Sequence, residues 1–66
     1  MKNNIKERRK ALGLRQEDMA KALDVSRQTI IAIENNKYNP TLELAMKIAK
    51  LLGAIVEDIF EMGDAK

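Results

Sequence analysis

The stretch VSRQTIIAIENNK, Val25 to Lys37, decides how the chain folds. Ser26 can start a helix here, because its hydroxyl accepts a hydrogen bond from a free backbone N–H group of the first turn. Ile30 and Ile33 follow at a spacing typical of one helical face. The next residues, from Asn35, are typical of a loop. The stretch therefore predicts a short helix.

The two faces of this helix differ in chemistry when successive residues are placed about 100° apart. One face carries Ile30, Ile33, Glu34 and Lys37, and the other carries Gln28, Ile31, Ala32 and Asn35. Ile30 and Ile33 are expected in the core. Ile31 is then left facing outward, and Arg27 projects from the first turn.

Apolar spacing and stop residues predict four more helices. Their expected positions are about Asn4 to Leu12, stopped by Gly13; Gln16 to Asp24; Thr41, as the cap, to Gly53; and Val56 to Phe60. The polar tail is expected to fray. Buried stripes are expected at Ile5, Arg9 and Leu12, at Gln16, Met19, Ala20 and Leu23, and at Ala45, Ile48, Ala49 and Leu52. The methionines Met19, Met46 and Met62 are expected to be packing residues.

Only residues 24–26 separate the second helix from the third. So short a connection makes two helices pack at a large angle, in a helix-turn-helix arrangement. With 66 residues there is room for one compact core. The prediction is a single all-α domain, 1–66, of five helices, with an ordered core over about 4–61.

The residue types that are missing argue against several functions. Cysteine and histidine are absent, so a disulfide framework, a Cys/His metal site and a thiolate or imidazole catalyst are excluded. An enzyme, a metal, a cofactor and a second domain that would sense a small-molecule effector are not expected. No apolar run approaches the roughly 20 residues that span a bilayer, and the start of the chain is too charged for a secretory signal. The expectation is a cytoplasmic protein without a membrane partner.

Positive charge is concentrated in the first half of the chain. Residues 1–37 hold nine Lys and Arg against five Asp and Glu, 9 − 5 = +4, and residues 38–66 hold three against five, 3 − 5 = −2. This asymmetry is compatible with a polyanionic partner. A solvated, charged helix face is the more ordinary explanation.

The outward face of the third helix carries groups that can read DNA bases. Arginine can bond guanine, glutamine can bond adenine, and alanine or isoleucine can touch the thymine methyl, each good pair discriminating by about 1–3 kcal/mol. The residues concerned are Arg27, Gln28, Ile31 and Ala32. Alternatively, the polar pair is ordinary exposed surface and Ile31 belongs to a protein interface.

The order LGLRQEDMAKALDVSRQTIIAIENNKYNP…LELAMKIAKLLGAIVEDIF resembles the Cro/cI-type helix-turn-helix family, the lambda repressor-like domains of the XRE group. The resemblance runs from about Ile5 to Phe60. It implies a five-helix DNA-binding domain with its helix-turn-helix at the second and third helices. By the same resemblance, the base edges are met by Arg27, Gln28, Ile31 and Ala32, and DNA phosphates are held by Arg15, Gln16, Asn35 and Lys37.

Two charged residues fall on apolar stripes, where an unpaired charge would be costly. These are Arg9 on the first helix and Glu34 on the third. They are expected to form a structural ion pair, as a similar arginine and glutamate do in family members.

Three positions depart from the family pattern. Arg15 stands where relatives usually have a capping Thr, Ser or Asn, which omits an N-cap worth about 1 kcal/mol. Asn36 replaces the usual glycine, and asparagine tolerates the left-handed conformation better than most residues. Ile55 replaces a capping serine. It is expected either to join a two-fold interface with Ile59, Phe60 or Met62, or to staple the entry of the fifth helix.

These observations predict a sequence-specific regulator of transcription that binds double-stranded DNA, a repressor occupying an operator as a homodimer. Two third helices would then lie in successive major grooves about 34 Å apart. The alternative is an adaptor or antitoxin-like module of the same fold that binds protein through Ile31 and the basic face.

Overall fold

The computed structural model describes residues 2–61, which are mostly helical. The helices are α1 (Ile5–Ala11), α2 (Gln16–Leu23), α3 (Arg27–Glu34), α4 (Leu42–Leu52) and α5 (Val56–Ile59). Two short strands, β1 (Lys2–Asn3) and β2 (Phe60–Glu61), complete the described part. The five-helix, helix-turn-helix prediction is confirmed. The tail that was expected to fray, which includes Met62, lies outside the described residues.

The helix starts predicted at Ser26 and Thr41 and the stop predicted at Gly53 are present in the backbone. Ser26 Oγ accepts from the Thr29 N–H at 3.2 Å, and Thr41 Oγ1 accepts from the Leu44 N–H at 3.2 Å. These contacts satisfy N–H groups that have no partner within the helix. Gly53 ends α4 with φ at +69°, a left-handed value that glycine adopts without steric cost.

The core is built from one face of each helix. Its buried apolar side chains are Ile5, Met19, Ala20, Leu23, Ile30, Ile33, Ala45, Ile48, Ala49, Leu52, Ile59 and Phe60. The predicted stripes of α2, α3 and α4 are therefore confirmed at their apolar positions. These stripes hold the core together because α2, α3 and α4 each turn their apolar face inward.

Two packing expectations were wrong. Leu12 is 54% exposed, because α1 ends at Ala11 and Leu12 is its C-cap. Met46 is 58% exposed, since it lies about 100° around α4 from the buried Ala45. It shares that exposed face with Leu42, four residues earlier.

The two ends of the described chain pair as a small antiparallel sheet, which the helical pattern did not indicate. Lys2 lies opposite Glu61 and Asn3 lies opposite Phe60. The fifth helix was expected to reach Phe60, but it stops at Ile59 and Phe60 is extended, with φ −106° and ψ 131°. Strand pairing between residues almost a chain length apart leaves no local pattern in sequence.

An ion pair joins α1 to α3 inside this core. Arg9 Nε donates to Glu34 Oε2 at 2.7 Å, and Arg9 Nη2 donates to Glu34 Oε1 at 3.3 Å. Their side chains are 8% and 3% exposed. Arg9 Nη1 also donates to the Leu14 carbonyl at 2.9 Å. Within residues 2–61 no buried side-chain nitrogen or oxygen lacks a hydrogen-bond partner.

We expect Arg9→Ala to lower the free energy of unfolding by about 3–5 kcal/mol, because it leaves the Glu34 carboxylate buried without its cation. The pair Arg9→Met with Glu34→Leu should cost much less than the sum of the two single substitutions, since no buried charge remains. Denaturant unfolding of the wild type, the three single variants and the double variant measures these differences.

The control is Glu43→Gln, which breaks the exposed Lys47–Glu43 pair at 3.5 Å. An exposed pair of this spacing contributes only about 0.3–0.5 kcal/mol. An Arg9→Ala protein no less stable than the Glu43→Gln protein would show that the buried pair does not hold α1 to α3.

Candidate nucleic-acid interface

The turn between α2 and α3 is held by its own backbone. Asp24 adopts a left-handed φ of 58°, and the Val25 N–H donates to the Ala20 carbonyl at 3.0 Å. Val25 also packs against the core. The turn is thereby closed without a glycine, and it fixes how the start of α3 is presented beside α2.

The first turn of α3 presents two polar side chains to solvent. Arg27 and Gln28 are both exposed and directly follow the Ser26 cap. A second bond, between the hydroxyls of Ser26 and Thr29 at 2.9 Å, supports that cap. The backbone at the start of α3 is therefore fixed by hydrogen bonds, while the side chains of Arg27 and Gln28 remain accessible to a ligand.

The starts of α2 and α3 face one another across an open cleft of about 370 Å³. Its lining comprises Arg9, Arg15, Gln16, Glu17 and Arg27. Glu17 and Arg15 lie at the start of α2 and Arg27 at the start of α3, and the dipoles and free N–H groups of helix starts favour anions. Because Arg9 is held by Glu34, Arg15 and Arg27 are the cations at this cleft that a phosphate group could meet.

Two of the proposed base-reading residues are partly shielded. Ile31 and Ala32 are half-buried, whereas Arg27 and Gln28 are exposed. All four lie on α3, so one helix presents them together. Only the solvent-exposed part of the Ile31 and Ala32 side chains is available to contact a base.

Arg15 begins α2 without a side-chain cap of its own. The Asp18 carboxylate instead accepts from the Arg15 backbone N–H at 2.9 Å, as the acidic member of a capping box does. An arginine side chain has no acceptor to return, so only this half of the box operates. The backbone bond, followed by the Arg15 side chain, holds the pKa of Asp18 below its ordinary value.

The Arg15 guanidinium is already engaged with carboxylates. It lies 3.3 Å from Glu17 and 3.3 Å from Asp18, and the side chain is 73% exposed. Its hydrogen bond to Asp18 and the nearby charge of Glu17 raise its pKa. Such exposed pairs are weak, so a phosphate can share or displace them.

Gln16 is attached to the buried ion pair, a link that was not foreseen. Its Nε2 donates to Glu34 Oε1 at 3.1 Å. The Glu34 carboxylate is therefore bonded to α1 through Arg9 and to α2 through Gln16. Gln16 also lines the cleft, and the helical spacing alone carried no signal of its partner.

The end of α3 turns sharply at Asn36, where φ is 60°. The Asn36 N–H donates to the Ile33 carbonyl at 3.1 Å, and the Lys37 N–H donates to the Ala32 carbonyl at 2.8 Å. The left-handed turn expected at Asn36 is confirmed. Asn35 and Lys37 are both exposed on it.

Asn3 makes contacts that, like the bond from Gln16 to Glu34, were not predicted from the sequence. Its Nδ2 donates to the Ile33 carbonyl at 2.8 Å and to Asn36 Oδ1 at 3.2 Å. Asparagine ahead of a helix signals a cap or a turn. That signal is present in the sequence at Asn3 and Asn4, but it does not tell which distant carbonyl each amide reaches.

The residues expected at a two-fold interface do not share one surface. Ile59 and Phe60 are 2% and 3% exposed, so the core holds them and their side chains are not available to a partner. Ile55 is 59% exposed at the N-cap of α5 and makes no side-chain cap bond. More than half of the Ile55 side chain therefore remains open to solvent. Met62 lies outside the described residues.

Among residues 2–61, no helix is long and apolar enough to cross a membrane. The same residues contain no cluster of three or more side chains suited to hold a metal ion.

Known proteins resemble this chain along most of its length. The sequence model of a family described as Helix-turn-helix matches residues 5–55. A protein of Methanocaldococcus jannaschii, named an HTH-type transcriptional regulator, is 62% identical over 60 residues, which cover 91% of each chain. YgzD of Bacillus subtilis, with the same description, is 45% identical over 60 residues, again 91% of each chain.

A phage protein matches a shorter part of the chain. The ImmF control region 10 kDa protein of Bacillus phage phi105 is 44% identical over 48 residues, which cover 73% of this chain and 53% of the phage protein. The family match includes the whole of α1 to α4, and the regulators match beyond it. The chain therefore belongs to the helix-turn-helix family, whose members named here include transcriptional regulators.

Proposed function

We propose that this protein is a sequence-specific, double-stranded DNA-binding regulator of transcription that represses by occupying an operator as a homodimer. The observation that carries the proposal is the convergence of Arg15, Gln16 and Arg27 at one open cleft beside the exposed first turn of α3. The names of the relatives support the regulatory role. We place its action in the cytoplasm, where it would meet its operator.

The proposed contacts divide into two kinds. Arg27 and Gln28, with the open parts of Ile31 and Ala32, would read base edges in the major groove. Phosphates would be held by Arg15, Gln16, Asn35 and Lys37, which lie at the start of α2 and beyond the end of α3. Phosphate contacts set affinity and position, whereas base contacts set sequence preference.

The proposed homodimer depends on Ile55. A polar N-cap at this position would stabilise the monomer by about 1 kcal/mol, yet the residue is apolar and exposed. Covering it with the same residue of a second copy would remove apolar surface from water. The two copies would then present two α3 helices to one operator, whose occupation excludes other proteins.

Selection of bound duplexes from a random pool at moderate salt should enrich a two-fold symmetric site, because two copies read two half-sites. Sequencing of the survivors measures this. A single asymmetric half-site would retain DNA reading and contradict the dimer. A pool without enrichment would contradict sequence-specific DNA binding.

On the enriched site, Arg27→Ala should cost about 1–3 kcal/mol and relax preference at one base pair, because it removes a base contact. Lys37→Ala should leave the preference unchanged and reduce the slope of log Kobs against log salt by about 0.9, because it removes one phosphate contact. Binding titrations over a salt series, with the site and its variants, measure both effects.

The control is Lys50→Ala, which removes one exposed positive charge outside the proposed site. It should change neither the base preference nor the salt slope. If Arg27→Ala kept the preference while Lys37→Ala abolished it, the division into base and phosphate contacts would be wrong.

Ile55→Lys should weaken self-association at least tenfold, because it puts two like charges against each other at the two-fold axis. Sedimentation equilibrium measures the dissociation constant. Leu12→Lys is the matched control, since Leu12 is equally exposed on another part of the surface. A wild-type protein that stays monomeric at high micromolar concentration would rule out the dimer.

The second candidate is a protein-binding adaptor or antitoxin-like module. It is favoured by exposed apolar side chains outside the cleft, Leu42 and Met46 on α4 and Tyr38 before it. Salt separates the two functions. DNA binding weakens steeply as salt rises, whereas an apolar protein interface does not lose affinity in this way.

A further inference from the structure

The N-terminal strand reaches across the molecule to the end of α3. Asn3 lies on β1, and both acceptors of its side-chain amide, the Ile33 carbonyl at 2.8 Å and Asn36 Oδ1 at 3.2 Å, belong to that end. Asn3 Oδ1 accepts from the Ile5 N–H at 3.1 Å. Both amide hydrogens and the amide oxygen are therefore used.

The turn that Asn3 contacts is one that needs support. Asn36 holds a left-handed backbone with φ at 60° although it is not glycine, and such a conformation is costly for residues with a Cβ, least so for asparagine. Its side-chain oxygen is fixed by Asn3, and the carbonyl of Ile33 accepts from both Asn3 and the Asn36 N–H. Removing Asn3 would leave the turn with its local backbone bonds alone.

We propose that Asn3 is a positioning residue for DNA binding: it holds the turn at residues 35–37 so that Asn35 and Lys37 stay in place to meet the phosphate backbone. This inference rests on the proposed function. Asn3 itself donates inward to α3 and does not touch the DNA. Since β1 pairs with β2, the pairing of the chain ends also supports this turn.

The neighbouring asparagine provides a matched control. Asn4 Nδ2 donates to the Asp58 carbonyl at 2.9 Å, and Asn4 Oδ1 accepts from Arg8 Nε at 3.0 Å. One of these bonds spans 54 residues and the other spans four, and they end on α5 and α1 and not on α3. Changes at Asn4 thus report the cost of loosening the fold without loosening the end of α3.

The test compares Asn3→Ser with Asn4→Ser. A serine hydroxyl at position 3 can still accept from the Ile5 N–H, but it is too short to reach Ile33. On the duplex selected by the wild-type protein, Asn3→Ser should weaken binding about tenfold and make the slope of log Kobs against log salt shallower by about 0.9. Base preference should not change, because the first turn of α3 is untouched.

Asn4→Ser should lower the unfolding midpoint about as much as Asn3→Ser does. It should leave the salt slope at the wild-type value. Adding Asn36→Gly to Asn3→Ser should restore the slope, because glycine adopts the left-handed turn without help. A general loss of stability would not be rescued at this position. Hydrogen exchange of the Lys37 amide, bonded to the Ala32 carbonyl at 2.8 Å, should accelerate in Asn3→Ser and not in Asn4→Ser.

An unchanged salt slope in Asn3→Ser, or an equal change in Asn4→Ser, would overturn the inference while leaving the proposed function intact. Unaltered exchange at Lys37 would overturn it as well. If the wild-type protein bound no duplex but exchange at Lys37 still accelerated in Asn3→Ser, the DNA-binding function would fail and the support of the turn by Asn3 would stand.

Discussion

The ion pair between Arg9 and Glu34 is the interaction on which the arrangement of the helices depends. A chain of this length is stabilised by only about 3–10 kcal/mol in total, and a buried charge without its partner would cost much of that. The pair therefore specifies which turn of α1 lies against which turn of α3. Because Glu34 also accepts from Gln16, the same carboxylate aligns the start of α2 with both helices.

The candidate interface is supported differently at its two ends. At the start of α3 the support is local: the Ser26 hydroxyl caps the helix and a three-residue turn sets its angle to α2. At the end of α3 the support is remote, since the side chain of Asn3 arrives from a strand at the other end of the chain. The Ser26 cap does not use the side chains of Arg27 and Gln28, so they remain exposed. The Asn3 side chain restrains the backbone of the turn at residues 35–37, whose side chains are exposed.

Much of the helical frame could be predicted from sequence, because helices are encoded by spacing and by caps within a few residues. The buried residues of α2, α3 and α4, and the caps at Ser26 and Thr41, follow this rule. Predictions failed where exposure depends on a neighbour elsewhere in the fold. Met46 was predicted to be a packing residue because of its side-chain type, and it is exposed. Ile59 and Phe60 were predicted to join a dimer interface, and they are buried in the core.

The sequence by itself determined the helix order, the short α2–α3 connection and the family, since each is written in adjacent residues. Only the tertiary structure decided that Gln16 is bonded to Glu34, that Arg15 and Arg27 share one cleft, and that the chain ends pair as strands. The same holds for Asn3, whose side chain supports a turn 33 residues away. The physical reason is the range of the interactions: a cap is bonded within one turn of helix and an apolar stripe can be recognised along one helix, whereas these contacts exist only after the elements have packed.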